Sequence, residues 1–288
     1  MKAIFSNWMV PTKQKHNTKK IGAPGGFVDY KSYLASWILS VEQAKKYFSS
    51  VELYCDTPTK EILDPLNLSI DKYHVIFDDH PILKKWENSD LWAASKMIAY
   101  SLQTEPYVHL DYDFYIFSDP REIFDKDVVV LYPERGYNEN NHPYYNIPWE
   151  VYLKACDNNP PHKCLNDFKL LNLNPDQFSY NFGIFGGTAV DAIAKAALDA
   201  IEVGDWSVDK EITHVKGVSY QVFIEQGVIP ISLYLQGYKN PFHLRGGPIK
   251  WTHLVGGQKA NKDICNKMIK RLQINHPNKY CDLLEYIK

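Results

Sequence analysis

The feature that most constrains the fold is an alternation of short apolar segments with longer amphipathic segments in the first half of the chain. Apolar segments at residues 3–5, 51–55, 75–77 and 107–110 have the length and composition of buried strands. Residues 30–48, 60–66 and 90–103 have helical periodicity, and Ser89 or Asp90 is a suitable N-cap for the third helix. This order predicts an α/β fold with a mainly parallel central sheet flanked by helices, and binding groups at the carboxyl ends of the strands.

The second half is more irregular. Strands are predicted at residues 114–117, 128–132, 182–185 and 230–235, and helices at residues 149–155, 189–203, 219–226 and 263–273. No Gly/Ser-rich linker divides the chain. We therefore expect one domain over residues 1–288, with halves that meet near residue 118 and an elaborated second half.

The charge of the chain excludes one class of partner. Thirty-two basic and 34 acidic side chains give a formal net charge of −2, which argues against a general nucleic-acid binder. The average hides a split, because residues 105–139 hold nine acidic and three basic side chains, whereas residues 239–279 hold nine basic side chains and Asp263. Two solvated faces of opposite sign would explain the split equally well.

The five cysteines indicate the compartment. They are odd in number, scattered and never in a CxxC pair, so neither a zinc site nor a disulfide framework is predicted. The first residues lack a signal-peptide apolar segment, and no apolar run approaches the length of a membrane span. We expect a cytoplasmic protein without a transmembrane segment.

The first chemical signal is Asp111-Tyr112-Asp113, which directly follows an apolar strand. Two carboxylates at this spacing at the end of a strand can converge on one Mn²⁺ or Mg²⁺, which also holds a diphosphate. A polar turn after a strand is the alternative, because such turns favour aspartate for structural reasons.

The second signal is a His-x-x-Gly-x-x-Lys pattern formed by His253, Gly256 and Lys259. The imidazole can supply a third metal ligand, the glycine lets backbone N–H groups approach phosphate, and the lysine offers a positive charge to the same phosphate. A glycine-rich turn with an incidental histidine and lysine is the alternative.

Taken together, the two patterns resemble the metal-dependent GT-A glycosyltransferases, most closely the glycogenin-like and bacterial galactosyltransferase-like members of glycosyltransferase family 8. Asn181 to Phe185 is similar to the Phe-Asn-Ser-Gly segment of that family, and Glu225-Gln226 is similar to its Asp-Gln pair. Lys96 stands where the family places an arginine before the DxD motif. The segment after the first strand lacks the family's usual Asp and Tyr.

The resemblance implies transfer of a sugar from a nucleotide-diphosphate donor, with UDP as the expected nucleotide, to an acceptor that the sequence does not identify. Residues 1–118 would form the nucleotide-binding half, and residues 119–288 would form the acceptor side and close the metal and phosphate site. The implied metal ligands for Mn²⁺ or Mg²⁺ are Asp111, Asp113 and His253.

The implied donor and phosphate contacts are Lys259, Gly256, Lys96, Asn181 and Gly183. Family resemblance also implies retention of the anomeric configuration, with Gln226 near the reacting face of the sugar. An inverting enzyme would need a general base, for which Glu225 is the candidate. Trp8 and Asp56 are candidates for base and ribose contacts from their strand-end positions alone.

Two other function classes stay open. A Mg²⁺-dependent nucleotidyl- or phosphotransferase would use the same carboxylates, although no Walker-type loop is present. A non-catalytic carbohydrate-binding module on a transferase fold is the other. For the acceptor, Tyr137, Tyr144, Tyr145 and Trp149 offer flat aromatic faces, and residues 13–20 form a basic loop that would suit an active-site lid.

Overall fold

The computed structural model describes residues 1–9, 23–89, 91–134, 146–214 and 220–288. The described residues form two compact units. The first unit comprises Met1–Asp78, His109–Arg121 and Pro248–Lys288, and the second comprises Asp79–Val108 and Glu122–Gly247. The expectation of one domain with halves near residue 118 stays a prediction.

The strands form an α/β core. They are β1 (Lys2–Asn7), β2 (Val51–Cys55), β3 (Lys72–Val75), β4 (Tyr107–Leu110), β5 (Phe114–Ile116), β6 (Val129–Pro133), β7 (Tyr180–Gly187), β8 (Phe242–His243) and β9 (Trp251–His253). Among the described residues, seven strands form a sheet in the order β3-β2-β1-β4-β7-β6-β8, and β5 pairs with β9. β1, β2 and β3 are parallel, as are β6 and β8, whereas β6 and β7 are antiparallel. The predicted α/β class with a mainly parallel central sheet is confirmed.

Helices flank the strands. They are α1 (Tyr30–Lys45), α2 (Thr57–Leu63), α3 (Pro81–Trp86), α4 (Ala94–Ser101), α5 (Asn146–Ala155), α6 (Lys163–Leu170), α7 (Val190–Asp209), α8 (Tyr220–Phe223), α9 (Ile229–Leu235), α10 (Lys262–Asn275) and α11 (Pro277–Tyr286). A π-helix, Ile224–Val228, lies between α8 and α9. Short 3₁₀ helices are Pro24–Gly26, Asp64–Leu66, Arg121–Ile123, Pro175–Phe178, Ile212–His214 and Gly256–Gln258. No described helix is both long enough and apolar enough to cross a membrane.

The first unit is built around β1 and α1. Ala3, Ile4 and Phe5 of β1 are fully buried, as continuous apolar strands of a covered parallel sheet usually are. Asp29 caps α1 because its carboxylate accepts a hydrogen bond from Ser32 N at 2.7 Å. Trp37, near the middle of α1, is fully buried and lies 5.9 Å from the ring of Phe5.

The second unit is built around β7, all eight residues of which are buried. A register shift between Val130 and Tyr132 interrupts the pairing of β6 with β7. A Cβ at Gly186 would lie 2.2 Å from the carbonyl oxygen of Tyr107, so only glycine allows this close approach of two backbones.

Several predicted elements differ from the structure. Residues 230–235 were expected to form a strand and instead belong to helix α9. Ile231 and Leu233 are both buried, and an apolar run that is buried on all sides has no periodicity to distinguish a helix from a strand. Pro230 lies in the first turn of α9, directly after the π-helix.

Two predicted element boundaries also differ from those in the structure. The third predicted strand, residues 75–77, lies at Lys72–Val75, and the N–H groups of Ile76 and Phe77 both donate to the carbonyl of Cys55 just beyond it. Helix α4 begins at Ala94 rather than at residue 90, and no side chain caps it. The predicted cap Ser89 instead accepts a hydrogen bond from Leu91 N at 3.2 Å, and Asp90 lies outside the described residues.

Candidate metal centre and surrounding residues

The pairing of β5 with β9 places the two sequence motifs side by side in the first unit. Asp113 precedes β5, and Phe114 of β5 is directly opposite His253 of β9 in the antiparallel register. The N–H of Leu254 donates to the carbonyl of Asp113 at 3.0 Å and extends this pairing by one residue. The turn that carries the carboxylates is thereby fixed against the strand that carries the imidazole.

Asp111, Asp113 and His253 form a cluster that could bind a metal ion. One ligand atom from each of them lies within 4.8 Å of the other two. Two carboxylates and one imidazole are a donor set that suits a hard divalent cation such as Mn²⁺, which accepts both oxygen and nitrogen ligands. The residues present therefore fit the metal that the sequence patterns predict.

Asp113 carries the strongest electrostatic perturbation of the cluster. Its carboxylate contacts the Lys259 ammonium through Oδ2, and its Oδ1 lies 3.3 Å from His253 Nε2. Burial alone would raise the pKa of Asp113, but the charges of Lys259 and His253 outweigh burial and lower that pKa below its usual range. The buried carboxylate is therefore negatively charged at neutral pH and attracts cations.

Two serines of helix α1 hold the turn in place. Ser36 Oγ donates to the carbonyl of Tyr112 at 2.8 Å, and Ser40 Oγ lies 2.6 Å from the carbonyl of Phe114 and 3.3 Å from that of Asp111. The serines are four residues apart and so lie on the same side of the helix. Sequence reasoning missed them, because a serine inside an apolar helix face gives no signal of what it contacts.

Tyr112, the middle residue of the motif, is anchored by aromatic packing. Its ring stacks on Trp37 with a centroid distance of 4.7 Å and meets Tyr33 edge-on at 5.6 Å. Gly25 adopts φ +69°, and a Cβ there would lie 1.8 Å from the Tyr112 hydroxyl. The central side chain thus points into packed protein, and the two carboxylates flank it in the turn.

A second buried contact lies beside Asp111. His109 Nε2 and Ser6 Oγ are hydrogen-bonded at 3.0 Å, and His109 Nδ1 lies 3.8 Å from Asp111 Oδ1. His109 is 1% exposed. The pair thus joins the end of β1 to the end of β4 immediately before the carboxylates.

Lys96 and Glu225 form an ion pair in the second unit. Lys96 Nζ lies 3.0 Å from Glu225 Oε1, and Glu225 is fully buried. Glu225 and Gln226 belong to the π-helix. This conformation is rare in proteins overall, but where it occurs it is often at a functional site. The lysine that was predicted to contact the donor therefore contacts the glutamate that was predicted to be catalytic, and Gln226 beside it is half-buried.

Asn181 and Gly183 lie in the buried strand β7. Asn181 Oδ1 accepts a hydrogen bond from Gly183 N at 3.0 Å, and Asn181 Nδ2 donates to Glu134 Oε1 at 3.0 Å. The asparagine is thus oriented by its own strand and by the residue that follows β6.

The other predicted contacts have different surroundings. Asp56 is buried and caps α2, since its carboxylate accepts hydrogen bonds from Thr59 N at 3.1 Å and Met9 N at 2.8 Å. Trp8 is buried at the end of β1. Gly256 is exposed and adopts φ +50°, with open space where a Cβ would be.

Some predicted acceptor and lid residues are not described. Residues 13–20, Tyr137, Tyr144 and Tyr145 lie outside the described residues. Trp149 is buried and stacks on Tyr152 at a centroid distance of 5.8 Å, which is the packing role that competes with a binding role.

Comparison with known proteins finds a matching family and similarity to solved structures. The family described as "Family of unknown function (DUF6734)" matches residues 1–286. No match is found among curated proteins. The chain is similar to the crystal structure of mouse xyloside xylosyltransferase 1 in its apo form, with 12% sequence identity, a TM-score of 0.40, and coverage of 80% of this chain and 82% of that one.

Proposed function

We propose that this chain, which belongs to the DUF6734 family, is a GT-A glycosyltransferase that moves a sugar from a nucleotide-diphosphate sugar to an acceptor. The observation that carries the proposal is the convergence of Asp111, Asp113 and His253, with the Lys259 ammonium against the same carboxylate. A site that binds a metal ion together with a diphosphate needs acidic groups for the metal ion and basic groups for the phosphates. UDP is the proposed nucleotide, and Mn²⁺ or Mg²⁺ the proposed metal.

Different residues of the chain would bind different parts of the donor and the metal ion. Asp111, Asp113 and His253 would hold the divalent cation, which when bound supplies positive charge for the leaving diphosphate. Lys259 would bind the same phosphates as a point charge, and the exposed Gly256 would leave backbone N–H groups open to them. Trp8 and Asp56 are assigned to the base and ribose, and the buried position of both implies that they act mainly by shaping that part of the first unit.

The remaining predicted contacts are assigned to the sugar. We assign Lys96, Asn181 and Gly183 to the donor sugar, and Gln226 to the reacting face in a reaction that retains configuration. The contact with Lys96 at 3.0 Å would orient Glu225 as a hydrogen-bond partner for sugar hydroxyl groups. In an inverting reaction Glu225 would be the general base.

Turnover of a panel of nucleotide sugars tests the proposal. Release of nucleotide from UDP-, GDP-, ADP- and CMP-sugars is measured with Mn²⁺, with Mg²⁺ and with chelator. We expect one UDP-sugar to be turned over only with metal. Asp113→Asn should lower that rate at least about 100-fold, because even outer partners of metal ligands contribute about 10–100-fold.

Asp119→Asn is the matched control, because Asp119 is exposed and pairs with Arg121 at 2.6 Å on the surface. It should leave turnover within about twofold of the unaltered chain, as surface pairs contribute little. Turnover of nucleoside triphosphates but of no nucleotide sugar would favour the phosphotransferase class. Binding of sugars without any turnover would favour a carbohydrate-binding module and contradict the proposal.

The stereochemical part has its own test. Proton NMR during the first minutes of turnover identifies the anomer that forms first. A product with the donor's configuration supports retention and the role of Gln226. A product of opposite configuration would overturn that role in favour of Glu225 as a base.

We also propose a cytoplasmic location. All five cysteines are free thiols in the structure, which is the usual state in a reducing compartment. Cell fractionation with an antibody against the chain tests this, and recovery in a secreted fraction would contradict it.

A further inference from the structure

Lys259 occupies an unusual position for a phosphate-binding side chain. Its ammonium contacts Oδ2 of Asp113, one of the three candidate metal ligands. The same ammonium lies 5.8 Å from the ring centroids of both Phe27 and Tyr112, a distance at which aromatic rings attract cations. A carboxylate and two aromatic rings therefore form a cation-binding cage around the lysine.

The main chain of Lys259 is held by hydrogen bonds, and its side chain is partly exposed to solvent. The carbonyl of Lys259 accepts hydrogen bonds from Val28 N at 3.0 Å and from Cys265 Sγ at 3.1 Å. The side chain is 18% exposed, so one side of the cage is open to solvent. A four-carbon stem on a fixed backbone can move its ammonium by several ångströms through rotamer changes alone.

We propose that Lys259 has a second role as the cation that neutralises Asp113 when no metal ion is bound, so that metal and diphosphate bind cooperatively. This inference rests on the proposed metal site. A divalent cation bound by Asp113 competes with the Lys259 ammonium for the same carboxylate, and the proposal requires that the metal ion displaces the lysine. The displaced ammonium then needs a new negative partner, and the diphosphate supplies one.

The proposal makes binding of each ligand depend on the other. Metal alone leaves the ammonium without its carboxylate and close to a like charge, whereas diphosphate alone draws the ammonium away from a buried carboxylate. Both costs disappear when the two ligands bind together. Linkage requires the coupling to be the same in either order, and couplings between sites are typically about 5–150-fold.

Equilibrium binding of Mn²⁺ and of UDP, measured by electron paramagnetic resonance and calorimetry without any acceptor or turnover, tests the proposal. For the unaltered chain we expect Mn²⁺ to bind about 5–150-fold more tightly when UDP is saturating. Lys259→Met keeps the apolar stem and removes the charge. It should bind Mn²⁺ alone about tenfold more tightly than the unaltered chain, bind UDP more weakly, and lose part of the coupling.

Lys262→Met is the matched control. Lys262 is exposed at the start of α10, three residues from Lys259, and its loss removes the same formal charge. We expect its Mn²⁺ affinity to stay within about twofold of the unaltered chain. Dissolved salt weakens the effect of an exposed charge over a Debye length of roughly 8–10 Å. Lys259→Arg retains the charge, and its Mn²⁺ affinity should stay closer to that of the unaltered chain than the affinity of Lys259→Met does.

The outcomes separate this inference from the proposed function. Equal Mn²⁺ affinity in Lys259→Met and Lys262→Met would overturn the second role of Lys259 and leave the metal site intact. No Mn²⁺ binding by any variant, with UDP or without it, would overturn both. A circular dichroism spectrum and a thermal transition that match those of the unaltered chain verify that each variant is folded. If Lys259→Met is not folded, the comparison of Lys259→Arg with the unaltered chain still tests the proposal.

Discussion

The ion pair between Lys96 and Glu225 gives a prediction whose magnitude follows from burial. Glu225 is fully buried, and the Lys96 side chain is 10% exposed. At the observed separation of 3.0 Å and an effective dielectric constant of about 20, the attraction between the two charges is about 5.5 kcal/mol. Lys96→Met removes this attraction and leaves a buried carboxylate without its cation, so we expect unfolding free energy to fall by about 3–5 kcal/mol.

Glu225→Gln should cost less than Lys96→Met. The lysine left behind keeps some access to water and stays 5.9 Å from the ring of Trp92, whereas the glutamate left behind by Lys96→Met has no exposed surface. The double variant Lys96→Met/Glu225→Gln removes both charges. It should recover most of the loss, because replacing both partners of a buried pair is often close to neutral.

Urea unfolding of the four proteins measures these differences, with equal m-values as the condition for comparing midpoints. The coupling free energy from the double-mutant cycle should be at least about 1 kcal/mol. Additive effects of the two single substitutions would refute the reasoning, because they would show that the pair contributes no interaction. A larger loss for Glu225→Gln than for Lys96→Met would refute the argument from burial.

Three further predictions concern other parts of the chain. Gly204→Ala should lower unfolding free energy by about 1–3 kcal/mol in thermal unfolding, because its Cβ would lie 2.3 Å from the buried ring of Trp86, whereas Gly257→Ala, with nothing within 4 Å, should change little. Ser40→Ala should weaken Mn²⁺ binding about tenfold by releasing the turn that carries Asp111 and Asp113, and unchanged affinity would contradict that role. The lowered pKa of Asp113 means that its ionised form stabilises the fold above the ordinary aspartate pKa of about 3.9, and that this contribution is lost as pH falls below it. The difference in unfolding free energy between the unaltered chain and Asp113→Asn should therefore shrink between pH 5 and about pH 3, and a constant difference would contradict the assignment.

The sequence could predict which residues form the candidate metal cluster because local patterns marked both of its parts. Asp111 and Asp113 follow a buried strand, and His253 precedes a glycine-rich turn that ends in Lys259. What the sequence did not contain was the register that joins them. The pairing of Phe114 with His253 is a long-range contact between two three-residue strands, and strands this short have too weak a period to predict their partners.

Three other features could not be predicted from the sequence, each for its own reason. Glu225, the partner of Lys96, belongs to a π-helix, whose i→i+5 hydrogen bonds change which side chains share a face. Helix α9 was mistaken for a strand because an apolar run buried on every side favours neither period. Ser36 and Ser40 contact backbone carbonyls, and backbone atoms leave no mark in a sequence.

The near-zero net charge of −2 hides a direct contact between opposite charges at Asp113. This carboxylate comes from the acidic segment of the chain and Lys259 from the basic one, and the two charges neutralise each other in direct contact. Asp111, Asp113, His253 and Lys259 all belong to the first unit but come from two separate stretches of it, His109–Arg121 and Pro248–Lys288. A divalent cation held by ligands from both stretches would bind the folded unit and not the unfolded chain. Its binding free energy then adds to the stability of that unit, by about 2.7 kcal/mol at a metal concentration 100 times the dissociation constant. Folding of the first unit therefore brings together the residues that form its candidate site.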